Sequence, residues 1–438
     1  MLKKCIYLVF IIVFILPLTG CGSSNTGGNT QVTPTPAPSN DQKITLVWWN
    51  LFETKENVQP LIDAYQAANP NVEIQYEQKG LNGDITGYIN SLDEALLTNE
   101  AERIPDIYTI HNTWTGKYET SLARAPESVF PLTDLTDFYP VVSQDFVRNG
   151  IVALPMYMDA LAVIYNIDKL QAAGYTTPDN DWSRFETQAQ EITKKSPYGF
   201  SAADPNNTEF YFDVLNLLLM QNGVTMTDGS GTSAIFASQK DGVGAITFYN
   251  DFLKGTTPTW NATQKKDVAA FLEGDLAMYI APSWRLIDIL NYNQQYGLGL
   301  KVGVAGVPQL GGDQRLYWAT YWGQGVAKTS FNASTAWDFI KFITLPDQLH
   351  TLNTQVKANN RPLGIIYPRI SMQQELTSDP YLASYVEALS KAQSWNMGDG
   401  IRVKRAFLTP ITGDDLTSSL TSIQTQVSTI LANPKLIP

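Results

Sequence analysis

An α/β body, with helices on the faces of a parallel sheet, is what the sequence predicts, and three observations carry that reading. A strand-like run, a helical stripe and a second alternating run follow one another within about thirty residues of Ile44, which is a βαβ unit. Short apolar runs alternate with amphipathic stripes through the rest of the chain. No internal repeat is visible, which argues against solenoids and propellers.

The first element is not part of that body. Lys3 and Lys4 precede an unbroken apolar run from Cys5 to Leu16, shorter than the roughly 20 residues a membrane span needs, so residues 1–20 read as a secretory signal. Leu18-Thr19-Gly20-Cys21 resembles a bacterial lipobox. The resemblance implies cleavage before Cys21 and a lipid on its thiol, which places the mature chain on the extracytoplasmic face of a cell membrane. From Gly22 to Lys43 the chain is Gly, Ser, Asn, Thr, Pro and Gln with little that is apolar, so residues 21–43 read as a lipidated Cys and a disordered tether. Fully extended, that tether reaches about 70 Å.

Composition narrows the partners. The chain has 2 Cys, and Cys5 leaves with the signal, so no internal disulfide is available and stability must come from packed cores. A formal net charge of -12 disfavours nucleic acid and anionic lipid, both of which are bound chiefly by Lys and Arg near phosphate.

The body begins with Ile44–Trp49 as a strand, followed by Val58, Leu61, Ile62 and Tyr65 at helical spacing until Asn69-Pro70 stops the helix. Val72, Ile74 and Tyr76 then alternate as the second strand. Further strands are predicted at Ile107–Ile110, Ala160–Tyr165, Leu276–Ile280, Val302–Val304 and Gly323–Ala327. Trp182, Phe185, Ala189 and Ile192 form one helical stripe, and Ala336, Phe339, Ile340 and Ile343 form another. From Ser378 onward the pattern is helical.

Catalytic signatures are scarce. With 2 His and no Cys in the mature body, His-rich and thiolate metal sites are excluded, and no cofactor is expected. The body contains no Gly-x-Ser-x-Gly, His-Glu-x-x-His, Walker-type or Gly-x-Gly-x-x-Gly motif. Paired carboxylates stay open, because 42 acidic residues offer many pairs that spacing alone does not test. The surplus is aromatic: 10 Trp and 21 Tyr, several beside polar residues at predicted strand ends. These are Trp48-Trp49-Asn50, His111-Asn112-Thr113-Trp114, Tyr157-Met158-Asp159, Ser283-Trp284-Arg285 and Tyr317 through Trp322. Flat rings next to Asn, Asp and Arg suit a sugar, which offers apolar C–H faces and a rim of hydroxyls.

The stretch Val152-Ala153-Leu154-Pro155-Met156-Tyr157-Met158-Asp159-Ala160-Leu161, continuing to Asn166, resembles the crossover segment of the extracellular solute-binding proteins of bacterial ABC importers, family 1, the maltose-binding-protein group. Pro105-Asp106-Ile107, the block from Phe271 to Met278 ending at Ser283-Trp284, Val302-Gly303-Val304 with Val307-Pro308, Trp322 to Lys328, Ala336 to Phe342, and Arg361-Pro362-Leu363-Gly364 match further pieces in the same order. The resemblance implies a two-lobed periplasmic-binding-protein-like fold of type II with a ligand cleft between the lobes. It assigns 44–156 and 315–368 to lobe 1, and 157–314 and 369–438 to lobe 2.

It also implies a function: a monomeric, lipid-anchored, non-enzymatic binding protein that captures a carbohydrate and delivers it to ABC permease subunits. Trp49 and Asn50 are expected at the ligand, and the first-lobe ligand loop falls on Asn112, Thr113 and Trp114, where maltose-binding relatives carry an Asp-Arg pair that this chain lacks. The crossover contributes Tyr157 and Asp159; the second lobe contributes Glu209, Tyr211 and Trp284; the return strand contributes Trp322. Asp159 suits equally a hinge carboxylate satisfied by backbone N–H groups, Glu209 a helix-start charge, and Arg361 a pair with a surface acid. A surface glycoside hydrolase using Asp159 and Glu209, and an adhesive lipoprotein with a vestigial cleft, are the competing readings.

Overall fold

The computed structural model describes residues 43–80, 84–98, 103–311, 315–359, 361–408 and 415–434. The expected signal segment, Cys21 and the tether through residue 42 lie outside them.

Strands β1 (Ile44–Asn50), β2 (Val72–Gln78), β3 (Ile107–His111), β4 (Leu122–Ala123), β5 (Ala153–Leu154), β6 (Ala162–Asn166), β7 (Tyr198–Phe200), β8 (Leu276–Ala281), β9 (Val302–Gly306), β10 (Tyr317–Trp318), β11 (Trp322–Ala327) and β12 (Ala392–Gln393) build two principal sheets and one small pair. The first sheet has the order β2-β1-β3-β11-β4, with β5 also on β11. The second has the order β7-β8-β6-β9, and β10 pairs with β12.

The predicted βαβ unit is present. β1 and β2 are parallel in the register Ile44↔Val72, and the helix between them, Lys55–Ala68, buries Val58, Leu61, Ile62 and Tyr65. Leu46 and Trp48 point from β1 into the core, where Trp48 meets Tyr76 and Phe339 edge to face at 4.9 and 5.3 Å. Its indole N–H would be costly to bury unpaired, and it donates to Gln324 Oε1 at 2.8 Å. The predicted stripe Ala336, Phe339, Ile340 and Ile343 is fully buried on helix Ala333–Ile343. Trp182, Phe185, Ala189 and Ile192 are buried on helix Trp182–Thr193, whose first turn is capped by Asp181. Each buried Ile or Phe of these stripes contributes about 1.5–3 kcal/mol of burial free energy.

Two expectations are corrected. The sheets are mixed, not parallel: β11 runs antiparallel to β3, and β6 runs antiparallel to β8 and β9. The chain beyond Ser378 is not helical throughout, because β12 and the irregular stretch 394–399 separate helix Ala383–Leu389 from helices Gly400–Ala406 and Leu416–Ala432.

Three segments run between the two principal sheets and lie side by side. The first joins β5 to β6, and it forms bridges Met158↔Ile366 and Ala160↔Ala319 with the other two. Leu161 N–H donates to Trp318 O at 3.3 Å, and Thr320 N–H donates to Asp159 O at 3.1 Å. The stretch after β12 also ties both sides together. Met397 N–H donates to Thr113 O at 2.8 Å on the first-sheet side, while Trp395 Nε1 donates to Asn216 Oδ1 at 2.7 Å on helix Tyr211–Gln221.

The second sheet meets its helix layer at Gly199 in β7. A Cβ there would overlap the Ala189 carbonyl oxygen, and Gly199 N–H already donates to Thr193 Oγ1 at 3.0 Å. Gly199→Ala is therefore expected to cost about 1–3 kcal/mol, read as a lower denaturation midpoint with an unchanged slope.

Candidate ligand-binding site

The first-sheet wall is set by strand polarity. β1 and β3 are parallel, so both end at the same edge, and antiparallel β11 begins there in the register Trp322↔His111. Trp49, Asn50, His111 and Trp322 are thereby gathered at one edge. Around Trp322 stand His111 and Trp114, each at 5.0 Å, and Phe52 at 5.3 Å, all edge to face. The ammonium of Lys79 lies 3.8 Å above the Trp49 ring, which leaves the opposite face of that ring to other contacts. Trp49 Nε1 and Asn50 Nδ2 are buried donors with no hydrogen-bond partner among the described residues.

The predicted loop 112–114 divides by role. Asn112 is 1 % exposed and its amide is engaged: Nδ2 donates to Asp145 Oδ2 at 2.9 Å, and Oδ1 accepts from Tyr321 N–H at 3.2 Å. It lies inside the wall, behind the surface that Trp114 helps to form. Thr113 sits beside His111, with Oγ1 at 2.9 Å from Nδ1, and its backbone N–H donates to the same nitrogen at 3.3 Å. An acceptor Nδ1 makes Nε2 the protonated nitrogen of a neutral ring, so Nε2 donates to Thr320 Oγ1 at 3.2 Å. Burial, with the charge of Lys404, pushes the His111 pKa down to about 3 and keeps the ring neutral.

In the crossover, the Arg361 guanidinium lies 5.6 Å from the Tyr157 ring centroid and pairs with Glu53. The expected surface acid for Arg361 is thus a wholly buried one, since Glu53 is 0 % exposed and also accepts from Asn57 Nδ2 at 2.9 Å. The Asp159 carboxylate accepts the N–H groups of Ala160 at 2.8 Å, Ser283 at 3.0 Å and Trp284 at 3.3 Å, and the Ser283 hydroxyl at 2.7 Å. It holds the start of helix Ser283–Tyr296 as a carboxylate does at a helix N-terminus, although it comes from a residue far away in sequence. Burial raises its pKa to about 6 in spite of these donors.

The second wall carries Trp284, which is 44 % exposed and is the one exposed tryptophan among the described residues. Phe210 meets it edge to face at 5.6 Å, and the Arg285 guanidinium lies 4.6 Å from its ring centroid. Glu209 pairs with Arg285 at 2.5 Å, and Arg285 reaches Asp288 at 2.8 Å. Tyr211 is 3 % exposed, and its hydroxyl has no hydrogen-bond partner among the described residues. The Asp159 carboxylate is filled by fixed donors, whereas Glu209 is held by Arg285 through Oε1 alone and its Oε2 has no hydrogen-bond partner among the described residues. Among the described residues no three His, Cys, Asp or Glu converge as a metal site.

His111, Thr320, Phe52 and Lys404 were not among the predicted site residues. His111 and Thr320 stand within the aromatic runs at predicted strand ends, which is their one signal; Lys404 comes from a segment brought in by tertiary structure.

Residues 60–362 match the sequence model of the family described as bacterial extracellular solute-binding protein. A maltotriose-binding protein of Pyrococcus abyssi is 23% identical over 365 residues, covering 79% of this chain and 72% of that protein. A probable ABC transporter-binding protein of Deinococcus radiodurans is 23% identical over 248 residues, 55% of this chain and 58% of that protein. Among solved structures, the cyclic α-maltosyl-1,6-maltose binding protein of Arthrobacter globiformis superposes with a TM-score of 0.73 at 16% identity, covering 89% of this chain and 100% of that one. The fold is the two-lobed α/β architecture with a cleft between the lobes.

Asp145, which accepts from Asn112, Tyr321 at 2.7 Å and Ser394 at 2.5 Å, is also raised by burial to about 6. An Asp near 3.9 when unfolded and near 6 when folded stabilises fully below the lower value, and that contribution is lost as pH rises through the upper one. Denaturation midpoints should therefore fall less between about pH 4 and about pH 7 in Asp145→Asn than in the wild type. An equal fall in both would show that Asp145 is not raised.

Proposed function

The chain belongs to the family of bacterial extracellular solute-binding proteins, which bind solutes and are not enzymes, and from that membership we propose that it captures a neutral carbohydrate in the cleft and passes it to ABC permease subunits. The observation that carries this reading is Trp284, an aromatic face left exposed at the start of a helix that Asp159 fixes in place. Trp49, Trp114 and Trp322 offer further ring surface on the other wall, and Asn50, Thr113, Tyr157, Glu209 and Tyr211 supply polar atoms around it. Such a mixture of stacking faces and sparse polar groups suits a mono- or oligosaccharide. The names of the Pyrococcus and Arthrobacter relatives support the same class of ligand.

In this reading lobe 1 comprises 44–156 and 315–368, and lobe 2 comprises 157–314 and 369–438, moving about the three crossovers. The protein acts as a monomer held at the extracytoplasmic face through lipid on Cys21. A tether of that length keeps the cleft near the permease and raises its effective concentration there. The support is the charged, apolar and small-residue order of residues 1–21.

Titration with a panel of maltose, maltotriose, trehalose, cellobiose and lactose is expected to quench Trp fluorescence for at least one sugar. Trp284→Ala should weaken that sugar by about tenfold or more, the cost of a buried aromatic contact. Silence across the panel, with a response to an amino acid or polyamine, would overturn the carbohydrate assignment. Cys21→Ser should move the protein from the membrane fraction to the soluble fraction and abolish incorporation of labelled palmitate; unchanged membrane retention would refute the anchor.

A further inference from the structure

We propose that Arg285 is a positioning residue for the stacking tryptophan: it covers one face of the Trp284 ring, holds the plane of that ring, and leaves the other face for one sugar unit. The assignment rests on the carbohydrate reading above. It adds to the site a residue whose part is to set a ring and not to touch the ligand.

Fixing the backbone at Trp284 does not fix its ring. Asp159 accepts the Trp284 N–H at 3.3 Å, but an indole still turns about its side-chain bonds, and on a residue 44 % exposed little packing opposes that. Two contacts restrain it. Phe210 meets the ring edge to face at 5.6 Å, and the Arg285 guanidinium lies 4.6 Å from its centroid, within the range of a cation–π contact.

The guanidinium is itself held by two of its nitrogens. Nη1 donates to Asp288 Oδ2 at 2.8 Å, one turn further along helix Ser283–Tyr296, and Nη2 donates to Glu209 Oε1 at 2.5 Å, on the segment that leads into helix Tyr211–Gln221. A rigid planar fork held in this way has little freedom to turn, which is not true of an ammonium on a flexible stem. The arrangement leaves a donor unmet: Arg285 Nε is buried with no hydrogen-bond partner among the described residues, although the same side chain turned outward would hydrate it. Offsetting the charges of Glu209 and Asp288 does not require that burial. Covering the Trp284 ring does.

The first wall repeats the pattern. Lys79 lies 3.8 Å above Trp49 and pairs with Glu77 at 2.6 Å, so there too a carboxylate holds a cation against one face of a tryptophan. With its rear face covered, Trp284 stacks one sugar unit on the remaining face and does not serve as a wedge between two.

The test combines a spectrum and a binding cycle. Without ligand, the near-ultraviolet circular dichroism of Trp284 is the difference between wild type and Trp284→Ala; in the Arg285→Met background it is the difference between Arg285→Met and the double variant. Arg285→Met is expected to lose most of that signal, and Arg285→Lys, which keeps the charge but not the plane, should not restore it. Asp288→Asn, at an exposed position, should lose part of it, which provides a second measurement should Arg285→Met fold poorly. Calorimetry with the panel sugar that the wild type binds most tightly should show Arg285→Met weaker by about fivefold, and the double variant no weaker than Trp284→Ala. An unchanged Trp284 signal in Arg285→Met and Asp288→Asn would overturn the inference. So would an Arg285→Met loss of equal size in the Trp284→Ala background, because arginine would then act on the ligand or the fold and not through the ring. A wild type that binds no panel sugar would overturn the carbohydrate reading, while the Trp284 signal would still decide the positioning role.

Discussion

Asp159 makes the contact on which the arrangement of the two lobes depends. Its side chain takes three backbone N–H groups and one hydroxyl, most of them from Ser283 and Trp284, while its own carbonyl accepts the Thr320 N–H of a second crossover. One residue thereby joins the first crossover, the second crossover and the helix that presents Trp284. Burying a carboxylate is costly unless its lone pairs are filled, and these four donors fill them. The helix start gains a negative charge where its free N–H groups converge. Whatever orientation Trp284 offers a ligand is inherited from this contact.

A second polar seam performs the corresponding task nearer the C-terminus. Lys117 is buried between Asp93 at 2.6 Å and Asp399 at 3.5 Å, and Tyr118 donates to the same Asp93. Ser394 and Asn112 meet on Asp145, and Gly116 N–H donates to Asn396 Oδ1 at 3.0 Å. Buried networks of this kind restrict geometry because a displaced member leaves charges or donors unpaired. The stretch 394–399 is therefore fastened to the first-sheet wall just before helix Gly400–Ala406 turns toward the second. Asn112, expected at the ligand, serves this seam.

What sequence pattern revealed, and what it concealed, follows from how far each feature depends on distant residues. The βαβ start was legible because β1, its helix and β2 satisfy one another locally, and the stripes at Trp182 and Ala336 were legible for the same reason. Strands β4, β5, β10 and β12 are two residues long and exist only because β11, or each other, lies alongside, so no period could announce them. Antiparallel pairing of β11 with β3 is a topological fact that alternation does not encode. At the site, aromatic residues at strand ends pointed to Trp49, Trp114, Trp284 and Trp322. The capping work of Asp159 was hidden because Ser283 and Trp284 are remote in sequence, and the neutral state of His111 was hidden because Thr320 and Lys404 define it from elsewhere.

The central claim is that this cleft, walled by aromatic rings and fixed polar groups, is shaped for a neutral sugar. Native mass spectrometry of the protein purified from its own host tests it most directly. The account predicts a retained ligand, lost on denaturation, whose mass corresponds to whole monosaccharide units. A retained peptide, polyamine or phosphate ester in its place would contradict it.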